Sequence, residues 1–225
     1  MSDLIMTAES LVSNEIIPLR TSDTGDEALG MMSEFYVRHL PIVNNSELLG
    51  LLSEDDILNF DANEPVGSYS LSVSHHPSVK TSDHLYEVMR LMAEYQLTLV
   101  PVVDERNNYT GVITQEDLMR TFARSTAFSE PGSIIVLEVA RRDYSMAEIA
   151  RIVESENAII LSTLISAEDD LSFMEVTLKV NTQNIGAIIA TFERFEYQIK
   201  ASFNESDYSD SLRERYDSLI AYLNV

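Results

Sequence analysis

The chain contains an internal repeat. A shift of 60 residues lays Thr21-Ser22-Asp23 on Thr81-Ser82-Asp83, Met32 on Met92, and Leu40-Pro41-Ile42-Val43 on Val100-Pro101-Val102-Val103. One extra residue in the following turn then aligns Gly50-Leu51-Leu52-Ser53-Glu54-Asp55-Asp56-Ile57-Leu58 with Gly111-Val112-Ile113-Thr114-Gln115-Glu116-Asp117-Leu118-Met119. A repeat limits the fold more than composition does, because each copy has an apolar face that its neighbour must cover. Two copies are too few for a solenoid. A pair packed about a pseudo-twofold axis is expected.

Each copy reads as strand, helix, strand, strand, helix. In the first, Ala28, Leu29, Met31, Met32 and Phe35 recur at near-helical spacing, and Thr24 with Glu27 forms a capping box. Residues 38–43 and 48–52 are short apolar strands around a polar turn, and a helix starts at Ser53. The second copy places Leu85, Val88, Met89 and Met92 on a helix face, with strands near 98–103 and 110–113 and Asn107-Asn108 in the turn between them. Ahead of the first copy, Leu4, Ile5, Ala8, Leu11 and Val12 predict a short amphipathic helix. Residues 61–74, with Pro65, Gly67 and four serines, read as a linker.

Beyond a break in pattern at 124–132, the remainder predicts β over 133–140, helix over 145–156, strands over 158–166 and 173–180 around the acidic turn Glu168-Asp169-Asp170, helix over 184–195 and strand over 197–203. That order is βαββαβ. The expected fold class is therefore α+β, a tandem pair of βαββα repeats followed by a ferredoxin-like domain. The expected boundaries are 1–63 for repeat one with its N-terminal helix, 64–128 for the linker and repeat two, and 129–205 for the ferredoxin-like domain. An acidic amphipathic helix is expected over 206–225, with Leu212, Tyr216, Leu219, Ile220 and Leu223 on one side.

Charge excludes some partners. The 225 residues carry 15 Lys+Arg against 37 Asp+Glu, a net of −22, which disfavours nucleic acid and anionic membrane surfaces. Within residues 1–128, 20 acids and 7 bases give −13. No apolar run reaches a membrane span, and the N-terminus lacks the basic and apolar regions of a secretory signal. A cytoplasmic location is expected. Cysteine is absent, which removes disulfides, thiolate nucleophiles and cysteine metal sites.

The informative spacing is Gly-h-h-[Ser/Thr]-x-x-Asp, where h is apolar. It occurs at Gly50…Ser53…Asp56 and again at Gly111…Thr114…Asp117. A strand ends, a hydroxyl residue caps a helix, and a carboxylate follows in the first turn. A helix N-terminus offers unpaired N–H groups to a phosphate, and a carboxylate one turn inside can accept from vicinal ribose hydroxyls. Plain helix capping explains the same spacing at either position alone. Its recurrence at matched positions favours a site.

Together, Thr-Ser-Asp, the apolar helix, Leu-Pro-Ile-Val and the Ser/Thr-x-x-Asp element resemble the cystathionine-β-synthase (CBS) domain family, and the pair resembles a Bateman module over about residues 1–128. The resemblance implies an adenosine-containing ligand between the copies: AMP, ADP, ATP, NAD, S-adenosylmethionine or a cyclic dinucleotide. It implies that Asp56 and Asp117 hold ribose hydroxyls, that Ser53 and Thr114 reach phosphate, and that the backbone beside Leu40-Pro41 and Val100-Pro101 reads the adenine edge. Residues 133–203 resemble an ACT domain, although Arg142-Asp143-Tyr144-Ser145-Met146 lacks the glycine usual in that family's ligand loop. A CBS pair followed by an ACT-like domain is similar to the acetoin-utilisation accessory protein family.

Other candidates are weaker. His75-His76, with His39 and His84, make no metal-ligand spacing, so no metal site is expected. Glu54-Asp55-Asp56 and Glu116-Asp117 complement their helix dipoles without Mg²⁺. Arg20, Arg38, Lys80, Arg120 and Arg124 are cations available to ligand phosphates, most of them expected to be solvated. No Gly-x-Ser-x-Gly, Walker loop or His-Glu-x-x-His occurs, so the expectation is not an enzyme. Two readings remain. One is a regulatory sensor that passes nucleotide binding to the ACT-like domain or a partner protein, with no required cofactor. The other is a structural dimerisation protein with empty clefts. A homodimer is expected under both, since a lone pair leaves Ala28, Met32, Val88 and Met92 incompletely covered.

Overall fold

A computed structural model describes residues 6–69, 77–124, 126–167 and 172–204. The expected terminal helix over 206–225, His75-His76, Leu4, Ile5 and the turn Glu168-Asp169-Asp170 lie outside them. The chain divides into two compact units, Met1–Thr121 and Phe122–Val225.

In the first unit, copy one contains α1 (Gly25–Glu34), β1 (His39–Asn44), β2 (Glu47–Ser53) and α2 (Glu54–Leu58). Copy two contains β3 (Val79–Lys80), α3 (Leu85–Tyr95), β4 (Leu99–Val103), β5 (Tyr109–Thr114) and α4 (Gln115–Ala123). The expected first strand of copy one is a single bridge, with Leu19 pairing in parallel with Ile42 where β3 pairs with β4 in copy two. The Thr24–Glu27 capping box is present: Glu27 N donates to Thr24 Oγ1 at 3.3 Å and Thr24 N to Glu27 Oε2 at 2.8 Å. Both hairpins are antiparallel, and both slip by a bulge at the same place, between Ile42 and Val43 and between Val102 and Val103. Fully buried Leu19, Leu40, Leu52, Leu85, Leu99 and Ile113 hold the core.

The segments leading into each repeat correct two expectations. In place of an amphipathic helix, the described N-terminal residues form one 3-10 turn, Ala8–Ser10. It packs on copy two, with Ala8 N donating to Asp83 O at 2.8 Å and Glu9 N to Thr81 O at 3.0 Å. The described part of the expected linker, residues 61–69, is structure as well. Val66 N donates to Asp23 O at 2.8 Å and Gly67 N to Thr21 O at 3.0 Å, so a second 3-10 turn, Val66–Ser68, packs on copy one in the same way. Ala8 and Val66 are 0% and 1% exposed. Propensity could not show this, because buried apolar contacts and backbone partners from the other copy hold segments too short to fold alone.

The copies also meet through His39 and Thr98. Thr98 N donates to His39 Nδ1 at 3.3 Å, the Thr98 hydroxyl lies 3.0 Å from the same nitrogen, and Arg38 N donates to Thr98 Oγ1 at 2.9 Å. Nδ1 therefore accepts, which places the imidazole proton on Nε2. Burial, followed by the Arg38 cation, holds the imidazole below its ordinary value, while Asp56 and Asp55 oppose the shift.

The second unit contains α5 (Thr126–Ser129), β6 (Ser133–Ala140), α6 (Met146–Ser155), β7 (Ile160–Ala167), β8 (Phe173–Val180), α7 (Gly186–Arg194) and β9 (Gln198–Asn204). Its sheet order, β7-β8-β6-β9, is that of a ferredoxin-like fold, so the expected α+β class stands. Strict alternation along β6 buries Ile135, Leu137 and Val139 against Ile149, Ile152, Ile188 and Phe192 of the two long helices.

Two stability predictions follow from the first unit. Gly111 has φ +149°, and a Cβ there would lie 2.6 Å from Ser13 O. Gly111→Ala is expected to cost about 1–3 kcal/mol in urea unfolding, through backbone strain and loss of the Ser13–Val112 bridge. His39 has its folded-state pKa lowered from 6.5, so its penalty is absent above that value and grows as the pH falls through it. Unfolding at pH 7.5 and at pH 5.5 should show a smaller loss of stability on acidification in His39→Asn than in the parent chain.

Candidate functional site

The Ser/Thr-x-x-Asp elements sit at the strand-to-helix junctions β2–α2 and β5–α4. Ser53 N donates to Asp56 Oδ2 at 3.0 Å, Ser53 Oγ to the same oxygen at 2.7 Å, and Asp56 N to Ser53 Oγ at 3.0 Å. Thr114 and Asp117 repeat the three bonds at 3.0, 2.7 and 3.0 Å. Each element is thus a reciprocal helix cap. Each hydroxyl proton is directed to the carboxylate, so the Thr114 hydroxyl offers an acceptor lone pair rather than a donor. The other oxygen of Asp117, Oδ1, faces the Arg120 guanidinium at 3.6 Å.

Beside Asp117 lies a cavity of about 420 Å³. One wall comes from copy two: Thr98, Thr114, Gln115, Glu116, Asp117 and Arg120. The other comes from Ser13, Glu15 and Ile16, which precede copy one, and from Glu34–Val37 after α1. A backbone bridge brings these walls together, with Ser13 N donating to Val112 O at 2.8 Å and Val112 N to Ser13 O at 3.0 Å. The carbonyl of Thr98 accepts from Gln115 N at 3.1 Å, which fixes the start of α4 against β4. Ile16 and Val37 supply apolar surface, while Phe35 and Tyr36 form the outer rim.

The lining is acidic. Glu15, Glu34, Glu116 and Asp117 face one cation, Arg120, whose NH2 lies 2.6 Å from Glu116 Oε1. A ligand phosphate entering here meets carboxylates and a guanidinium that is already paired. The rest of the lining offers apolar side chains, the Asp117 carboxylate and the oxygens of Thr98 and Thr114.

Of the eight residues singled out from sequence, Thr114 and Asp117 line this cavity. Ser53 and Asp56 occupy the equivalent junction of copy one, where Arg38 Nε lies 3.1 Å from Glu54 Oε2 and NH2 lies 3.5 Å from Asp55 Oδ2. Residues 73–76, which the 60-residue offset aligns with 13–16, lie outside the described residues. Leu40 and Val100 are 0% exposed, and Pro41 and Pro101 are buried beside them. None of these four lines the 420 Å³ cavity. Sequence reasoning missed Ile16, Val37 and Thr98. The 60-residue offset, which pairs Val37 with Leu97 and Arg38 with Thr98, was the available signal.

In the second unit, the loop after β6 is a 3-10 turn, Arg141–Asp143, in which Arg142 Nε pairs with Asp143 Oδ2 at 3.3 Å. The Tyr197 hydroxyl donates to Glu148 Oε2 at 2.9 Å. Burial and then that carboxylate push the phenol up to about 12. Among the described residues no group of three His, Cys, Asp or Glu is placed to hold a metal ion, and no helix is long and apolar enough to cross a membrane.

Comparison with known proteins agrees with the repeat. The chain is 25% identical over 124 residues to an uncharacterized protein of Methanocaldococcus jannaschii, a match that covers 55% of this chain and 47% of that one. It is 22% identical over 204 residues to inosine-5'-monophosphate dehydrogenase of the same organism, covering 88% of this chain and 41% of the enzyme. The chain thus spans about half the length, or less, of these relatives. Among solved structures, a CBS domain pair/ACT domain protein of Thermotoga maritima is similar at 22% identity and a TM-score of 0.45, over 52% of this chain and 96% of that one. The CBS domain family model matches residues 8–63 and 66–124, just over half of the chain and both copies of the repeat. The chain belongs to the CBS domain family.

Proposed function

We propose that the CBS pair is a non-catalytic regulatory module that binds an adenosine-containing ligand in the cleft beside Asp117. In this reading the ligand fixes the orientation of the two copies, and occupancy passes to the ACT-like domain or to a partner protein. The module acts as a cytoplasmic homodimer, with repeats over 1–63 and 64–128 ahead of an ACT-like domain over 129–205. Ala28, Met32, Val88 and Met92, expected to need a partner's cover, are already buried within the chain and do not supply the interface. The observation that carries the reading is the 420 Å³ cavity, in which both copies meet at the Thr114–Asp117 element. Asp117 Oδ1 is the oxygen available to a ribose hydroxyl, and Ile16 and Val37 are the apolar surface available to the base. On the copy-one side, Ser53 and Asp56 form the equivalent element of a second cleft. The backbone beside Leu40-Pro41 and Val100-Pro101 is the edge that reads adenine in this proposal.

The competing reading, a dimerisation protein with empty clefts, draws support from the caps themselves, since both Oδ2 atoms are already engaged within the chain. A thermal-shift screen of adenine nucleotides and adenosyl compounds separates the two, because a ligand that binds only the folded state raises stability by mass action. The sensor reading expects a concentration-dependent rise, and the dimerisation reading expects none.

With a binding ligand in hand, Asp117→Asn should weaken affinity by about one to two decades, since a charge-assisted contact contributes about 1.5–3 kcal/mol. The same change should cost about 0.3–1 kcal/mol of stability through the helix dipole. Unchanged affinity in calorimetry would return the element to capping alone. Without divalent metal, AMP should bind more tightly than ATP, because each added phosphate meets Glu15, Glu34 and Glu116. A calorimetric titration with and without Mg²⁺ reads that order directly.

A further inference from the structure

A second cavity in the first unit, of about 520 Å³, shares no lining residue with the cleft beside Asp117. Arg20, Thr21 and Ser22 line one side and Asn44 and Asn45 the other. Among the described residues, none of these five side chains has a hydrogen-bond or ion-pair partner. An exposed arginine is ordinarily just solvated. In this chain the repeat provides an internal comparison.

In copy two the matching residues are Lys80, Thr81 and Ser82, and the facing turn begins Asp104-Glu105. There the carboxylate of Glu105 fills the equivalent place. Its Oε1 accepts from the Ser82 hydroxyl at 2.8 Å, and its Oε2 lies 3.5 Å from Lys80 Nζ. These contacts, the serine bond first, hold the Glu105 carboxyl below its usual range. The turn after the first strand is the same in both copies, since Arg20 N donates to Asp23 Oδ2 and Lys80 N to Asp83 Oδ2, each at 2.8 Å. What differs is the carboxylate. The hairpin of copy one is one residue shorter and carries Asn44-Asn45, with Asn45 at φ 57°. Two neutral amides stand where copy two supplies an anion.

We infer that copy one binds an exogenous oxyanion, a phosphate or carboxylate group, between Arg20 and Ser22 and the amides of Asn44 and Asn45, where copy two is filled by its own Glu105. The guanidinium supplies charge and paired donors, the serine hydroxyl repeats the Ser82 contact, and the asparagine amides add neutral donors. Asp23 is the nearest acid along the chain, and its Oδ2 is directed to the Arg20 backbone rather than to the guanidinium. In a chain of net charge −22, a concave site whose one cation meets no carboxylate is a place where a small anion can settle without displacing an ion pair.

The test is a ¹H–¹⁵N NMR titration of the full chain with inorganic phosphate and, separately, with acetate, each against potassium chloride at matched ionic strength. Saturable shifts are expected at Ser22 and at the side-chain amides of Asn44 and Asn45. Tighter phosphate binding assigns the site to phosphate groups, and tighter acetate binding assigns it to carboxylates. Asn45→Glu, which installs the internal anion of copy two, should weaken binding by about tenfold or more, as should Arg20→Gln. Asp117→Asn should leave it unchanged, which keeps this result separate from the adenosine cleft. The inference is overturned by the absence of saturable shifts with both anions, or by shifts that persist unchanged in Asn45→Glu and Arg20→Gln.

Discussion

The first unit depends on an exchange of short backbone segments between the two copies. The turn that precedes copy one is hydrogen-bonded to Thr81 and Asp83 of copy two, and the turn that follows copy one is bonded to Thr21 and Asp23. Each turn buries one small apolar residue, Ala8 or Val66, and satisfies backbone groups that would otherwise be orphaned. Because the chain continues from Ala8 to the bridge at Ser13, the same exchange carries Glu15 and Ile16 across to the helix that begins after Thr114. The cavity wall therefore follows from backbone pairing, and the side chains that line it are fixed by where that pairing ends.

At the cavity, the atoms that cap α4 also line the opening. The reciprocal caps engage one oxygen of each aspartate with its own helix start and so orient the carboxylate. For Asp117 the second oxygen faces Arg120 across 3.6 Å, longer than a direct charge-assisted hydrogen bond. A hydroxyl donor placed between them would add a contact and leave the cap intact. Four acidic side chains around the opening give it a negative field that disfavours uncompensated phosphate.

The copies differ in charge while sharing the same hairpin bulge and the same helix caps. Both hairpins carry the same bulge, and both caps have the same bond lengths within 0.1 Å. Yet Arg38 of copy one, tied to Glu54 and Asp55, stands where copy two has Thr98. Lys80 is neutralised by Glu105, whereas the equivalent Arg20 faces two asparagines. A conserved frame with unlike side chains at matched points is how one repeat can present different sites on its two halves.

The sequence by itself determined the repeat, the α+β class, the Ser/Thr-x-x-Asp elements and the order of the ferredoxin-like domain. These rest on local patterns: alternation along Ser133–Ala140, the helical spacing around Met32 and Met92, and hydroxyl and carboxylate three residues apart. It did not show that residues 8–10 belong with copy two, that residues 66–68 are structure rather than linker, or that the first strand of copy one shrinks to Leu19. Nor did it show that Leu40, Pro41, Val100 and Pro101 are core while Ile16, Val37 and Thr98 face the cavity. Those outcomes depend on partners far apart in sequence. An apolar residue in a strand reads the same whether it packs on the core or a ligand, and only the tertiary structure places Ser13 against Val112 and so decides which residues the cavity receives.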